Sequence, residues 1–414
     1  MSPTSRRAIL GRAVLGGALL GGAGLALAGC AGRDDVGATT PAGSTSGAGS
    51  TSAAGSPTAT GSTTPAGSPG DSTMPATSAS STALDLVTVV GQLLMVGHTT
   101  PSISTATRDL LTTHQFGSLV LLGNQLGGRG DLAAFSAQLG ALDVQVPVLV
   151  AVDQEGGQIQ RLNGQGFSRI PTAVAQGELG AARLQRDWTT WGQELARVGV
   201  HYNLAPVADV VPADLVARNA PIGQLKRHYG TTNAQAIPAI EAVVKGLAAA
   251  KVASSLKHFP GLGRVSVNTD FGVARDDSIT GSADDLAPFA AGIAAGASSV
   301  MVSSAIYERI DPDQQGVFSS KVITGLLRGQ LGFEGVVIAD DLGAAAAVKE
   351  VTPGERALRF LRAGGDLVIT ADPFLAPQMA GAILQAARAD AAFEAELRRK
   401  ADRVLALKRS VGVG

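Results

Sequence analysis

The sequence predicts a (β/α)8 barrel, the TIM-type fold, in a single domain spanning residues 84–414. Three observations predict it. Eight short apolar runs alternate with helical patterns along this segment, the count that a barrel of this kind requires. The runs are rich in Val, Leu and Ile and apolar on both faces, as buried parallel strands are. Polar and charged residues gather where the runs end, and in such barrels ligand chemistry sits on that C-terminal rim.

The runs lie at 93–97, 118–123, 148–153, 202–209, 254–258, 299–304, 336–340 and 366–370. Helical patterns between them include 180–199, 234–251 and 319–331, the last with Ser319 or Ser320 as its cap. An open doubly wound sheet shares this alternation, and the run ends favour the barrel. Asp153 closes the third run, Asp209 the fourth, Lys257 and His258 the fifth. Ser303 and Ser304 close the sixth, Asp340 and Asp341 the seventh, and Thr370 and Asp372 follow the eighth. A single carboxylate at a strand end is an ordinary helix cap, whereas carboxylates at three or more ends indicate a site. Asp341 is the expected cap for the Ala-rich segment that follows it.

The densest stretch is 254–272, SSLKHFPGLGRVSVNTDFG. A strand delivers Lys257 and His258 into a Phe259-Pro260-Gly261-Leu262-Gly263 turn, and a polar loop ends in Asn268-Thr269-Asp270. Proline fixes one backbone angle and glycine frees others, so the turn aims the cationic pair at a polar ligand.

Composition limits the partners. With 33 basic and 34 acidic residues the formal charge is −1, which argues against nucleic acid or an anionic membrane surface as a charge-driven partner. The five histidines are scattered and the one cysteine rules out an internal disulfide, so no metal-ligand spacing stands out and no cofactor is expected. The Gly156-Gly157 pair lacks the Lys-Ser/Thr of a phosphate-binding loop, and no Gly-x-Ser-x-Gly elbow occurs.

Residues 1–29 have the form of an export signal: Arg6-Arg7, an apolar Gly/Ala/Leu run, then Leu27-Ala28-Gly29-Cys30. That ending resembles a bacterial lipobox, which implies lipidation at Cys30, and the arginine pair hints at twin-arginine export. Residues 30–83 are mostly Gly, Ser, Thr, Ala and Pro, with too little apolar surface to offset the entropy of ordering, and read as a disordered tether. The expected setting is therefore the cell envelope, outside the cytoplasm, with a lipid anchor as the only membrane contact.

Four stretches together resemble glycoside hydrolase family 3, and within it the short β-N-acetylhexosaminidases acting on cell-wall fragments. They are VAVDQEGGQIQRL at 150–162, YNLAPVADV at 202–210, SLKHFPGLG at 255–263 and LGFEGVVIADDL at 331–342. The resemblance covers about residues 86–410 and implies a retaining, exo-acting enzyme that removes terminal β-linked N-acetylglucosamine from peptidoglycan fragments as a monomer, without cofactor. It implies that Asp340 is the nucleophile and that Asp153, Arg161, Lys257 and His258 bind sugar, with Arg227 of IGQLKRHYG in a looser match. The chain departs from the family's pattern in one place. The Asp-Ser-His triplet that carries the family's acid/base falls on Asn268-Thr269-Asp270, and Leu262 stands where a histidine is common. Asp270 is therefore the expected acid/base, with Asp276 and Asp277 behind it. Two other readings stay open at this point: a β-glucosidase-like family member, and a sugar-binding lipoprotein that has lost catalysis.

Overall fold

The computed structural model describes residues 80–123 and 127–414. The expected export signal and Cys30 lie outside the described residues, as does the expected tether up to residue 79. Ser81–Ala83 already forms a turn packed on the last helix, where the Ser81 amide donates to Asp402 (3.0 Å) and Arg398 donates to the Ser81 carbonyl (2.6 Å).

Eight parallel strands form one sheet: β1 (Leu94–His98), β2 (Ser118–Leu121), β3 (Leu149–Val152), β4 (Tyr202–Asn203), β5 (Ala253–Phe259), β6 (Ser299–Val302), β7 (Val336–Ala339) and β8 (Val368–Thr370). Their order is β7-β6-β5-β4-β3-β2-β1-β8, and a parallel bridge between Ile338 and Leu367 joins the two ends into a barrel. Alternate residues of each strand point to opposite faces. Met95, Val120, Leu149, Ala151, Tyr202, Met301 and Ile338 fill the interior, while Val96, Leu119, Leu121, Val150 and Val337 pack outward against the helices. Both faces are thus covered, and burying each such aliphatic side chain contributes about 1.5–3 kcal/mol. Tyr202 sits inside the barrel with its hydroxyl against Ser299 (2.5 Å), and burial pushes its pKa up to about 12.

Most strands match the apolar runs to within a few residues. The fourth differs: regular pairing stops at Asn203, and only a bridge between Val207 and Lys257 resumes it. Pro206 has no N–H to give, so β5 is bonded there through the Ala205 and Pro206 carbonyls, which accept from Ser255 and Lys257. The patterns at 180–199 and 234–251 become helices Ala181–Ala196 and Asn233–Ala249. The 319–331 pattern becomes Lys321–Gln330, a wide helix with i→i+5 bonding, entered through Ser319, whose hydroxyl accepts from the Val322 amide (3.2 Å). The Ala-rich segment after Asp341 is not an α-helix; it closes as a 3₁₀ turn over Ala346–Val348.

Candidate active site

The strand ends enclose a cavity of about 490 Å³ at the C-terminal mouth of the barrel. Asp153, Arg161, Arg227, Lys257, His258, Asp270 and Asp340 all line it, so the fold brings every catalytic and sugar-binding residue expected from the sequence to one place. Of the three acid/base candidates, Asp270 alone faces the cavity. Asp276 is buried and spends one carboxylate oxygen on the amides of Ser278 (2.8 Å) and Ile279 (2.7 Å), holding a turn, and Asp277 is exposed elsewhere.

The floor is a buried charge cluster centred on Glu155. Just after β3 the chain turns back in a hairpin of Gln154–Gly156 with Ile159–Gln160, which tucks Glu155 inside at 3% exposure. Gly156 makes this possible: its φ of +105° is rarely open to other residues, and a Cβ there would collide with the Pro171 carbonyl. The Gly pair thus serves close packing. Glu155 accepts a bidentate pair of bonds from Arg227, both 2.8 Å, and the Lys257 ammonium lies 2.7 Å from it. Lys257 also donates to Asp153 at 2.6 Å. Arg227 is further fixed by the Pro221 carbonyl (2.8 Å).

Electrostatics follow from this packing. Burial alone would push the Glu155 carboxyl up, but Arg227 and Lys257 outweigh it and hold the group well below the usual carboxylate range. Burial would likewise strip the proton from Lys257, and the Asp153 and Glu155 carboxylates reverse this and raise its pKa. Glu155, Arg227 and Lys257 therefore stay ionised throughout the physiological range. Asp153, with 17% of its side chain exposed, is the member of the cluster most open to the cavity.

His258 is oriented by Asp209. One carboxylate oxygen accepts from the backbone amides of His258 (3.0 Å) and Leu262 (2.7 Å), and the other lies 2.7 Å from His258 Nδ1. The side chain and the turn behind it are set by the same group. Gly263 completes the turn, where a Cβ would run into the Val210 carbonyl.

Asp340 follows β7, with its amide bonded to the Val302 carbonyl (3.0 Å). Enclosure by protein pushes its carboxyl above the ordinary value; the nearby His258 pulls down, and the charge of Asp270 pushes up again. Asp341 does not share the task. Its carboxylate is consumed by the amides of Gly343 (2.8 Å), Ala344 (2.7 Å), Ala345 (3.0 Å) and Ala371 (2.7 Å), whereas Asp340 accepts a single backbone bond, from the Asp341 amide to Oδ1 (2.9 Å).

Asp270 hangs over the cavity from the loop after β5. Its amide donates to the Asn268 side chain (3.0 Å), and the carbonyls of Thr269 and Asp270 accept from Ala347 and Ala346 (both 3.2 Å). The loop of Asp270 is thus bonded, backbone to backbone, to the loop after Asp340. No group of three or more His, Cys, Asp or Glu among the described residues could hold a metal ion.

Two partners had no assigned role in the sequence. Glu155 was legible only as part of the DQEGG run, and Asp209 only as a strand-end acid. A signal for both existed: buried Lys257 and a His on the same strand each demand a carboxylate nearby.

Comparison with known proteins agrees with this geometry. A β-hexosaminidase of Xanthomonas oryzae pv. oryzae is 33% identical over 300 residues, which cover 70% of this chain and 87% of the relative. The crystal structure of a β-N-acetylhexosaminidase from Beutenbergia cavernae superposes with a TM-score of 0.76 at 43% identity, covering 79% of this chain and 99% of that one. A family 3 β-N-acetylglucosaminidase from a Paenibacillus species superposes with a TM-score of 0.73 at 31% identity, covering 80% of this chain and 64% of that one. The family model of the glycosyl hydrolase family 3 N-terminal domain matches residues 86–407, and the chain belongs to that family of glycoside hydrolases.

Proposed function

We propose that the protein is a retaining, exo-acting β-N-acetylhexosaminidase that removes terminal β-linked N-acetylglucosamine from peptidoglycan fragments. The observation that carries the reading is the placement of Asp340 and Asp270 on one cavity, beside the ion-paired cluster of Asp153, Glu155, Lys257 and Arg227. The activities named for the Xanthomonas and Beutenbergia relatives support the same sugar.

The chemistry divides between two carboxyl groups. An Asp340 carboxylate oxygen attacks the anomeric carbon, and the bond from that carbon to the leaving oxygen breaks. Protonated Asp270 gives its proton to that oxygen. In the second step Asp270, now a carboxylate, takes a proton from water as the water oxygen attacks the same carbon and releases Asp340. Asp153, Lys257, Arg227 and His258 hold the hydroxyl groups of the terminal sugar, whose anomeric carbon Asp340 attacks, by charge-assisted hydrogen bonds.

Two variants test the assignment. Asp340→Asn abolishes turnover of aryl N-acetylglucosaminides while the far-ultraviolet spectrum is kept; near-normal turnover sinks the nucleophile assignment. Asp270→Ala slows disaccharides by ~10²–10⁴-fold and aryl glycosides much less in the first step, because only a poor leaving group needs the proton. Azide then restores part of the second step. Aryl glucosides run beside the N-acetylglucosaminides separate a β-glucosidase preference from this one, and silence on both leaves a sugar-binding protein.

The envelope setting rests on the Cys30 motif and the composition of residues 30–83. Cys30→Ser moves the protein from the membrane to the soluble fraction with catalysis intact; retention in the membrane would detach anchoring from this residue.

A further inference from the structure

Among the described residues the exposed large apolar side chains are Val267, Phe271, Val273 and Phe374, with exposures of 40, 83, 47 and 86%. All four lie at the mouth of the barrel, and the first three share the loop that carries Asp270. Elsewhere among the described residues such side chains are buried or partly buried, so this loop presents apolar surface that the fold itself leaves uncovered.

Phe271 is the one of the four that lines the cavity. Its ring is carried by a pinned segment. The amides of Phe271 and Gly272 donate to the Asn268 carbonyl (3.0 and 3.1 Å), and the preceding Asp270 carbonyl accepts from Ala346. The cationic groups flanking the loop are engaged elsewhere: Arg264 with Asp285 (3.0 Å) and Arg275 with Glu308 (3.2 Å). Between them the lip carries one charge, Asp270.

We infer that Phe271 is a specificity-determining residue, a platform for the first ring of the leaving group. The inference rests on the acid/base role proposed for Asp270. A group that protonates the leaving oxygen lies on the leaving-group side of the anomeric carbon, and its sequence neighbour at the mouth meets whatever that oxygen is attached to. In a disaccharide that is a second pyranose. Such a ring has a face of C–H bonds that packs on an aromatic ring, and covering the exposed face of a phenylalanine is favourable. The pinned backbone keeps the platform in place before substrate arrives, so little ordering cost is added on binding. Any peptide carried by the substrate lies further out, beyond this first ring, where the lip offers no charged side chain other than Asp270.

The test compares two substrates with unactivated alkyl leaving groups: the β-1,4-linked dimer of N-acetylglucosamine and methyl β-N-acetylglucosaminide. Phe271→Ala lowers the ratio of kcat/KM for the dimer over the methyl glycoside by ~10-fold, and Phe271→Trp restores it. Titration of the dimer into Asp340→Asn, with and without Phe271→Ala, reads the same difference as binding, with no turnover needed. Equal losses on both substrates, or an unaltered ratio, overturn the platform and leave the role of Asp270 standing. The reverse case is equally distinct. Asp270→Ala sorts substrates by leaving-group acidity and Phe271→Ala by leaving-group size, so failure of the first pattern alone removes the acid/base reading. Dimer bound equally well by both Asp340→Asn forms removes the platform whatever the activity.

Discussion

Of the three buried lysines among the described residues, Lys257 and Lys408 lie near opposite ends of the barrel, and the charge of their partners separates them. Lys257, at the C-terminal mouth, is 2% exposed and lies within 2.7 Å of two carboxylates, those of Asp153 and Glu155. Lys408, in the last helix Ala391–Ser410, is wholly buried and donates to two neutral oxygens, Gln92 Oε1 (2.6 Å) and the Pro147 carbonyl (2.9 Å). Burial works against the charged form of both. At Lys257 the carboxylates overcome it and the pKa rises; at Lys408 burial lowers the pKa to about 7. Depth therefore does not decide whether a lysine keeps its charge; the charge of its partners does. The mouth maintains a fixed ionic lattice for gripping a ligand, while the other end holds an amine that titrates close to neutrality.

The largest effect is expected from breaking the lattice. Glu155→Gln leaves Arg227 without its bidentate partner and Lys257 with Asp153 alone. Leaving a buried charge unpaired costs about 3–5 kcal/mol, so urea unfolding should shift by a large part of the total stability. In the folded fraction kcat/KM should fall by ~10²-fold or more, since both cations lose their aim. A variant with ordinary stability and activity would show that Asp153 alone sets the floor.

A smaller effect comes from the other lysine. Its folded pKa, about 7, lies below the ordinary value of 10.5. Between these limits the unfolded chain binds a proton that the folded chain does not, so stability should rise with pH across this window. The slope approaches ~1.4 kcal/mol per pH unit, the most that a single group can give. Below the window both states are protonated and the contribution is level. Lys408→Met removes this slope, and Gln92→Glu, by giving the amine a carboxylate, flattens it. Chemical unfolding at several pH values reads both; an unchanged slope in Lys408→Met would mean that the amine keeps its proton when folded.

The smallest effect concerns Asp340, which the proposed reaction requires as a carboxylate. Burial, with a further push from Asp270, places its pKa above the ordinary 3.8, so the acid limb of kcat/KM on aryl glycosides should lie above that value. On aryl glycosides, which need no proton from Asp270 in the first step, Asp270→Asn removes one repulsive charge and should move the limb to lower pH. A limb that stays put or moves upward would separate the two carboxyl groups electrostatically.

The fold was largely legible because buried parallel strands leave unbroken apolar runs, and because a closed barrel collects its polar residues at one end. The reading overran where a hydrogen-bond donor was missing, at Pro206, and where alanines suggested an α-helix that closes as a 3₁₀ turn, at Ala346–Val348. The candidate site was legible as a set of side chains and illegible as a network. Nothing local in DQEGG marks Glu155 as the common partner of residues 72 and 102 positions away, Arg227 and Lys257. Asp209 could be seen at a run end, but its tie to both the His258 ring and the Leu262 amide exists only once β4 and β5 lie side by side. Lys408 was the least visible of all. In RRKADRVLALKRS it reads as one more solvated cation of a charged helix, and its burial depends on the barrel floor beneath it.

The two backbone bonds that stitch Thr269 and Asp270 to Ala347 and Ala346 carry a consequence for stereochemistry. In glycoside hydrolases the gap between the two carboxyl groups determines whether the product keeps or inverts its anomeric configuration. Here that gap is tied to main-chain atoms, which substitution of a side chain leaves in place. The main-chain register between the two loops is thereby kept apart from drift in their side chains. In the reading proposed above, the side chains at 270 and 271 can change with the leaving group while the backbone that carries them stays bonded to the loop after Asp340.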